Sequence, residues 1–211
     1  MTEPRRTFLL SPANCSGNRG RLLRRPTAAF PLAQQLREGG APVGEVFAFI
    51  SGLYFRGKLA YARAFASRAY VITPSRGLLP IDEIITLDTL EEFACTDIDL
   101  ANADYREPLA RDLEALVAAD AALNAASDAA GDVVLLGSVA SEKYVTLLLS
   151  QLGDRLYFPE TFIGRGDMSR GGVMLRAVQA GEELTYIRVA GATRRGTRPP
   201  KLAPLRLSQE R

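Results

Sequence analysis

The chain has 211 residues, of which 47% are hydrophobic and 24% charged, and its net charge is +2. This is the composition of an ordinary globular protein that is long enough to bury a core. It contains no histidine, and its two cysteines, Cys15 and Cys95, are isolated. These facts exclude a disulfide framework, Ser-His and Cys-His dyads and the commonest metal sites, so we expect no cofactor and no bound metal.

The sequence also lacks the pattern of a membrane-directed protein. No apolar run approaches the roughly 18–20 residues of a membrane span, and the first apolar block is only Phe8–Leu10. That block is too short for a signal peptide. We therefore expect a cytoplasmic protein without a membrane partner.

Predicted strands and helices alternate along the chain. Apolar runs closed by proline or glycine predict strands, and apolar stripes with capping residues predict helices. The first half contains a strand at 6–10, helices at 31–38 and 55–66, a strand at 69–74 and a short helix at 88–95 capped by Asp88 or Thr89. The second half contains a helix at 106–127, a strand at 133–138, a helix at 141–153, a strand at 155–159, a helix from about Met168 and a strand at 183–189.

This alternation predicts an α/β fold with a mostly parallel central sheet. We expect one domain over residues 1–190, followed by a basic, flexible tail over 191–211 that is rich in proline and glycine. The segment after the first strand, SPANCSGNRGRLLRRP, is rich in glycine, asparagine and arginine and is predicted to be a loop.

Charge is distributed unevenly along the chain. Residues 1–25 carry six arginines against Glu3, and residues 188–211 carry six arginines and one lysine against Glu210. Between 82 and 132 the balance reverses, with fourteen acidic residues against two arginines. Such polarity indicates an anionic partner, most commonly nucleic acid, although terminal arginines that only aid solubility are an alternative.

The segments that follow the predicted strands share one chemistry. Each of the four is rich in glycine or small hydroxyl residues and includes at least one cation. Because ligands of open α/β sheets bind beyond the carboxyl ends of the strands, we expect these segments to form one anion-contacting surface. They are SPANCSGNRG, TPSRGLLPIDE, GSVASEKY and PETFIGRGDMSRGG.

The last of these segments, FIGRGDMSRGG, precedes a predicted helix. Glycines allow close approach of the backbone to a ligand, and a helix N-terminus attracts anions. We expect Arg165, Ser169 and Arg170 to hold a phosphate there. Asp167 is either the helix cap or a catalytic carboxylate that positions water or stabilises an oxocarbenium-like sugar. The segment is not a G-x-G-x-x-G fingerprint, since Ser169 replaces the third glycine.

The remaining candidates for nucleic-acid binding lie in or beside the other segments. Tyr54 and Phe55 suit either base stacking or core packing. Arg76 suits either phosphate binding or an ion pair with Asp82 or Glu83. The further candidates are Asn14, Arg19, Arg56, Lys58, Lys143 and Tyr144.

The order of these motifs resembles the YaaA-like peroxide-stress protein family and a related, largely uncharacterised bacterial domain family. The likeness covers about residues 7 to 178. It is carried by Leu10-Ser11-Pro12-Ala13, SGLYFRGKLAYARAF, VITPSRGLLPIDEIITLD, LLGSVASEKY and GRGDMSR.

The resemblance implies a single-domain, three-layer fold akin to that of the uracil-DNA glycosylases, with nucleic acid held at the strand ends. Two departures are visible. Thr86-Leu87-Asp88 lacks the aromatic residue of the family element, and the histidine motif of the glycosylases is absent.

Two functions of different class follow. The first is a nucleic-acid-binding protein, for DNA or structured RNA, whose basic termini assist. The second is a histidine-independent enzyme acting on a nucleotide, nucleoside or nucleic-acid base, in which Asp167, Asp82 or Glu142 activates water. A third possibility is a partner protein whose acidic middle segment docks a cationic surface.

Overall fold

The structure is a computed structural model that describes residues 6–124, 131–193, 196–200 and 202. Within these residues the main sheet has six strands in the order β4-β3-β1-β6-β7-β8. The four central strands are parallel, and β4 and β8 add antiparallel edges. The strands are β1 (Thr7–Leu10), β3 (Arg68–Ile72), β4 (Leu78–Pro80), β6 (Val133–Leu136), β7 (Leu156–Pro159) and β8 (Tyr186–Arg188).

Eight α-helices connect the strands of the described chain, together with a short antiparallel pair formed by β2 (Ala41–Pro42) and β5 (Ile84–Ile85). The predicted α/β fold with a mostly parallel sheet is therefore confirmed. The helices are α1 (Asn18–Arg24), α2 (Pro31–Glu38), α3 (Val43–Ser51), α4 (Leu53–Phe65), α5 (Leu87–Cys95), α6 (Ala103–Asn124), α7 (Glu142–Leu152) and α8 (Asp167–Ala180).

The core is built around β1 and β6, whose residues are all buried. Their uninterrupted apolar runs, TFLL and VVLL, are typical of parallel strands that are covered on both faces. On one face α4 packs against β1, where the ring of Tyr61 stacks on Phe8 with centroids 5.7 Å apart. The pairing of β1 with both β3 and β6 places Ser11, the residue after β1, at the carboxyl edge of the sheet.

Two glycines set the crossing of α8 over α4. A Cβ atom on Gly171 would lie 2.6 Å from the Leu53 carbonyl oxygen, and one on Gly57 would lie 2.7 Å from the Gly171 carbonyl oxygen. Any larger side chain would therefore push the helices apart. This crossing fixes the N-terminus of α8 beside the N-terminal half of α4.

A buried carboxylate ties α6 to two strands. Asp120 is almost fully buried and forms ion pairs with Arg68 at the start of β3 and with Arg155 just before β7. The two guanidiniums supply the hydrogen bonds that a buried carboxylate requires.

The sequence predictions for the elements hold in most places. The predicted strands and helices are present, with ends that differ by at most three residues within the described chain. The end of the predicted helix at 106–127 lies outside the described residues. The predicted cap of α5, Asp88 or Thr89, was wrong. The helix begins at Leu87, and the Thr86 side chain caps it by accepting from the Thr89 backbone N–H. Two helices were not predicted, α1 and α3, and α1 lies in the segment predicted as a loop.

Part of the basic tail contacts the body of the protein. A Cβ atom on Gly164 would lie 2.1 Å from the Thr197 carbonyl oxygen, and one on Gly172 would lie 3.1 Å from Leu202. The tail thus passes along the loop before α8. Among the helices that the structure describes, none has the length and apolar character needed to cross a membrane.

Candidate functional site

A cleft of about 570 Å³ lies at the carboxyl edge of the sheet. It is bounded by the segments after β1 and β6, by the N-termini of α7 and α8, and by the junction of α3 and α4. We call its buried residues Ser11, Tyr54, Lys58 and Tyr144 the floor, and its exposed residues Asn14, Arg19, Lys143 and Asp167 the rim. The volume is within the range of small-molecule sites.

Lys58 and Ser11 form the centre of the floor. Lys58 is 1% exposed, and its Nζ donates to the Ser11 hydroxyl at 2.7 Å and to the Ser11 carbonyl at 3.2 Å. The sequence places Lys58 on α4 one residue after Gly57, so the close helix crossing directs it under the cleft. Within the described residues Lys58 has no carboxylate partner at ion-pair distance.

The surroundings of Lys58 disfavour the protonated form of its amine. Burial lowers its pKa from 10.5 to about 7; the negative charge of Asp167 acts in the opposite direction, and the positive charge of Arg170 acts in the same direction as burial. The ammonium also lies 4.0 Å from the centroid of the Tyr54 ring and 5.0 Å from that of Phe55. Near neutral pH the amine is thus present in both its charged and its neutral form.

Tyr54 covers Lys58 and faces the cleft. Its hydroxyl is buried and makes no well-formed hydrogen bond among the described residues. Burial raises its pKa, while the nearby Arg170 lowers it. A buried hydroxyl whose contact with the Arg170 guanidinium is not a well-formed hydrogen bond is under-satisfied, and a polar group of a ligand could complete it.

Tyr144 organises the loop between β6 and α7. Its hydroxyl accepts from the Ser138 N–H at 3.0 Å and donates to the Ser138 carbonyl at 3.1 Å. Burial raises the pKa of Tyr144, and the adjacent hydroxyl of Ser11 lowers it. A Cβ at Gly137 would lie 2.7 Å from the Ser11 Cβ and 3.1 Å from the hydroxyl oxygens of Ser11 and Tyr144, which explains why this position is glycine.

The rim carries more positive than negative charge. Arg19 on α1 is exposed and uses one N–H to reach the Phe49 carbonyl at 3.2 Å. Lys143 is exposed, and its side chain has no hydrogen bond or ion pair with any described residue. Asn14 is exposed and accepts from the Ser16 hydroxyl at 2.8 Å. The carboxylate among the lining residues is Asp167.

Asp167 begins α8 at the edge of the cleft. The capping residue is Gly166, with extended backbone, and no side chain caps the helix, so the capping role considered for Asp167 was wrong. Its side chain is 68% exposed and lies 3.4 Å from the Arg170 guanidinium. Met168 beside it is also exposed and lines the cleft.

Six of the eleven predicted site residues line this cleft, and five do not. The six are Asn14, Arg19, Lys58, Lys143, Tyr144 and Asp167. The other five, Arg56, Arg76, Arg165, Ser169 and Arg170, lie outside its lining.

Three of the four arginines among these five are already engaged with other groups of the protein. Arg76 forms a bidentate pair with Glu92, so it has neither a phosphate-ready guanidinium nor the expected partner Asp82 or Glu83. Arg165 donates to the Ser169 hydroxyl at 3.1 Å. Arg170 is buried, donates to the Phe162 carbonyl at 3.3 Å and packs over the Phe162 ring.

The last two members of that group differ in setting. Arg56 is exposed on α4, and its side chain has no hydrogen bond or ion pair with a described residue. Ser169 is partly buried beneath Arg165. The glycines near these residues were predicted to bring the backbone close to a ligand. In the structure they instead allow the packing of α8 on α4 and the contact with the tail.

Several lining residues were missed from the sequence. Ser11, Ser51, Ser138 and Ser141 bring small polar groups into the cleft, and the signal for Ser11 and Ser138 was their position directly after a buried strand. Among the described residues, no group of three or more acidic or cysteine side chains could hold a metal ion.

Comparison with known proteins adds no relative to this description. The chain matches no protein-family model, and it has no significant match among curated proteins or among solved structures. The resemblance to the YaaA-like family therefore remains a prediction that rests on the sequence motifs alone.

Proposed function

We propose that the cleft binds nucleic acid, with phosphates at the rim and one nucleotide inside. The observation that carries this proposal is the convergence of two exposed cations from separate elements on the rim of one cleft. Arg19 comes from α1 and Lys143 from the start of α7, against the single lining carboxylate of Asp167. Excess positive charge in a concave site attracts phosphates over a distance.

The size and walls of the cleft support the same proposal. A volume of about 570 Å³ accommodates one nucleotide but not a duplex. Tyr54, Ile50 and Ile98 supply apolar surface, while the hydroxyls of Ser51, Ser138 and Ser141 offer hydrogen bonds. A protein that takes one base from a strand combines such a pocket with phosphate contacts outside it.

The basic ends of the chain favour a long polyanion over a free nucleotide. Basic residues far from a pocket add affinity only when the ligand extends to them. Residues 1–25 and 188–211 carry much of the positive charge of the chain. Free nucleotides or nucleosides, the alternative ligands, would not use these segments.

The test is a set of binding titrations with labelled single-stranded DNA, duplex DNA and structured RNA at several salt concentrations. We expect a steep salt dependence, in which each neutralised phosphate contributes about −0.7 to −0.9 to the logarithmic slope. Arg19→Ala and Lys143→Ala should each weaken binding about tenfold or more and make the slope shallower. A control is Arg76→Ala, which removes an exposed arginine that is already paired with Glu92.

Two outcomes would contradict the proposal. One is the absence of binding at low salt to any of the three nucleic acids. The other is an equal loss of affinity in Arg76→Ala and in the two rim variants, because it would show that overall charge, and not the cleft, determines binding.

A further inference from the structure

The floor of the cleft holds a serine and a lysine in direct contact. The Lys58 Nζ and the Ser11 Oγ are 2.7 Å apart, and both residues line the cleft although they are almost fully buried. The two residues are 47 positions apart in the chain and meet only because α4 packs against β1.

The contact differs from that of an ordinary buried lysine. A buried ammonium normally pairs with a carboxylate, since an unpaired charge is expensive in the interior. Lys58 instead contacts a hydroxyl, a backbone carbonyl and two aromatic rings in the described structure. A lysine in such surroundings readily becomes neutral, and a neutral amine can accept a proton.

We propose that Ser11 is a nucleophile for which Lys58 is the general base, and that the cleft cleaves an ester or amide bond in an anionic acyl compound. A serine activated by lysine is an established replacement for the Ser-His pair, and it fits a chain that has no histidine. The proposal does not depend on nucleic-acid binding. The bond-breaking step uses the floor of the cleft, and the rim cations that hold phosphates in the proposed function hold the anion of the acyl compound here.

The reaction proceeds in two balanced steps. The neutral Lys58 amine takes the Ser11 hydroxyl proton while Oγ forms a bond to the acyl carbon. The C–O or C–N bond to the leaving group then breaks, and that group takes the proton from Lys58. In the second step water attacks the acyl-serine ester, and Lys58 takes a proton from the water. Ser11 Oγ then leaves the acyl carbon and takes that proton from Lys58. The products are a carboxylic acid and an alcohol or amine.

The rim determines the class of substrate. Arg19 and Lys143 are exposed above the floor, and Asp167 lies on the α8 side. An acyl compound with a carboxylate or phosphate a few bonds from its carbonyl could place the anion on these cations and the carbonyl near Ser11. A neutral acyl compound of the same length would lack that contact.

The experiment uses two chromogenic esters and one covalent probe on the full chain. The esters are 4-nitrophenyl hydrogen adipate, which is anionic, and 4-nitrophenyl hexanoate, which is neutral and of equal acyl length. The probe is diisopropyl fluorophosphate, which a nucleophilic serine captures with loss of fluoride. The adduct is located by intact mass and peptide mapping.

We expect the adduct on Ser11 and, after subtraction of the rate without protein, hydrolysis of the adipate at least tenfold faster than that of the hexanoate. The rate should rise with pH around a midpoint near 7, where Lys58 loses its proton, and then level off. Ser11→Ala and Lys58→Met should each lose about 100-fold or more. Ser150→Ala, which removes an exposed hydroxyl on α7 outside the cleft, should retain the rate.

Three results would overturn the proposal. They are an adduct on Lys58 or on another serine with none on Ser11, hydrolysis retained by folded Ser11→Ala, and a labelling rate of the wild type that does not change between pH 5.5 and 8.5. The last result decides the question even if Lys58→Met fails to fold. Nucleic-acid binding by Ser11→Ala is measured in parallel, so the failure of one proposal is distinguishable from the failure of the other.

Discussion

Replacement of Lys58 by methionine should change how the stability of the protein depends on pH. In the folded protein, burial lowers the Lys58 pKa from 10.5 to about 7. Between these values the unfolded chain holds a proton that the folded chain has released. Unfolding therefore becomes less favourable as pH rises from about 7 towards 10.5, and this contribution is absent in Lys58→Met.

The magnitude follows from the width of that window. Each pH unit over which only the unfolded state is protonated changes the free energy of unfolding by about 1.4 kcal/mol. Between pH 7.5 and 9.0 the wild type should gain about 2 kcal/mol relative to Lys58→Met. For a protein of this size that corresponds to about 4–8 °C in melting temperature.

The assay is thermal unfolding of wild type and variant, followed by circular dichroism, at pH 5.5, 6.5, 7.5, 8.2 and 9.0. The comparison with the variant cancels the contributions of Cys15 and of the buried tyrosines, which both proteins share. Lys143→Met, which removes an exposed ammonium at the rim, is the matched control and should follow the wild type at every pH. A difference between wild type and Lys58→Met that stays constant from pH 7.5 to 9.0 would refute the reasoning, because it would mean that the buried amine keeps its proton.

Three further substitutions test the packing around the cleft, each by chemical denaturation. Gly171→Ala should destabilise the protein by about 1–3 kcal/mol because its Cβ would lie 2.6 Å from the Leu53 carbonyl oxygen. The control is Gly172→Ala on the same helix, whose Cβ would meet only the tip of the Leu202 side chain, and it should be neutral or stabilising. Asp120→Ala should cost about 3 kcal/mol, since it leaves two arginines without their shared carboxylate; an unchanged midpoint would show that these ion pairs contribute nothing. Arg170→Ala should lower stability by about 2 kcal/mol through loss of the Phe162 contacts, and a wild-type melting temperature together with weaker nucleic-acid binding would instead indicate that Arg170 contacts the ligand.

The framework of the fold could be predicted from local patterns. The runs TFLL and VVLL are strands buried on both faces, and the topology of parallel sheets predicted that Asn14, Arg19 and Lys143 would lie close together, as they do around one cleft. The segment after β3, which was predicted to join them, contributes no residue to the lining of the cleft. The strands could be predicted because each depends on a local run, and the grouping because it depends on a general property of parallel sheets.

Two helices escaped prediction for separate physical reasons. In α1, Gly20 was counted as a loop signal, but a Cβ there would lie 1.9 Å from the Cys15 carbonyl oxygen, so the glycine allows the helix to pack. In α3 the residues VFAFI are almost all buried, and a helix covered on most sides shows no polar face by which to recognise it.

The chemistry of the floor was beyond the reach of local patterns. Lys58 was predicted as a phosphate contact, since nothing beside it in the sequence showed that it would be buried. Its partner Ser11 lies 47 residues earlier, and the contact depends on the packing of α4 on β1. Likewise, the glycines of the segment before and within α8 were expected to serve a ligand, whereas Gly171 serves α4.

The crossing of α4 and α8 makes the pKa of the Lys58 amine sensitive to residues that lie outside the cleft. Gly171 does not line the cleft, yet it touches the backbone of Leu53 and Tyr54, and the Tyr54 ring covers the Lys58 amine. A side chain added at Gly171 would move that ring and let water approach the amine, whose pKa would then rise towards its ordinary value. Selection or engineering could therefore shift the pH at which the Lys58 amine titrates without replacing any residue that lines the cleft.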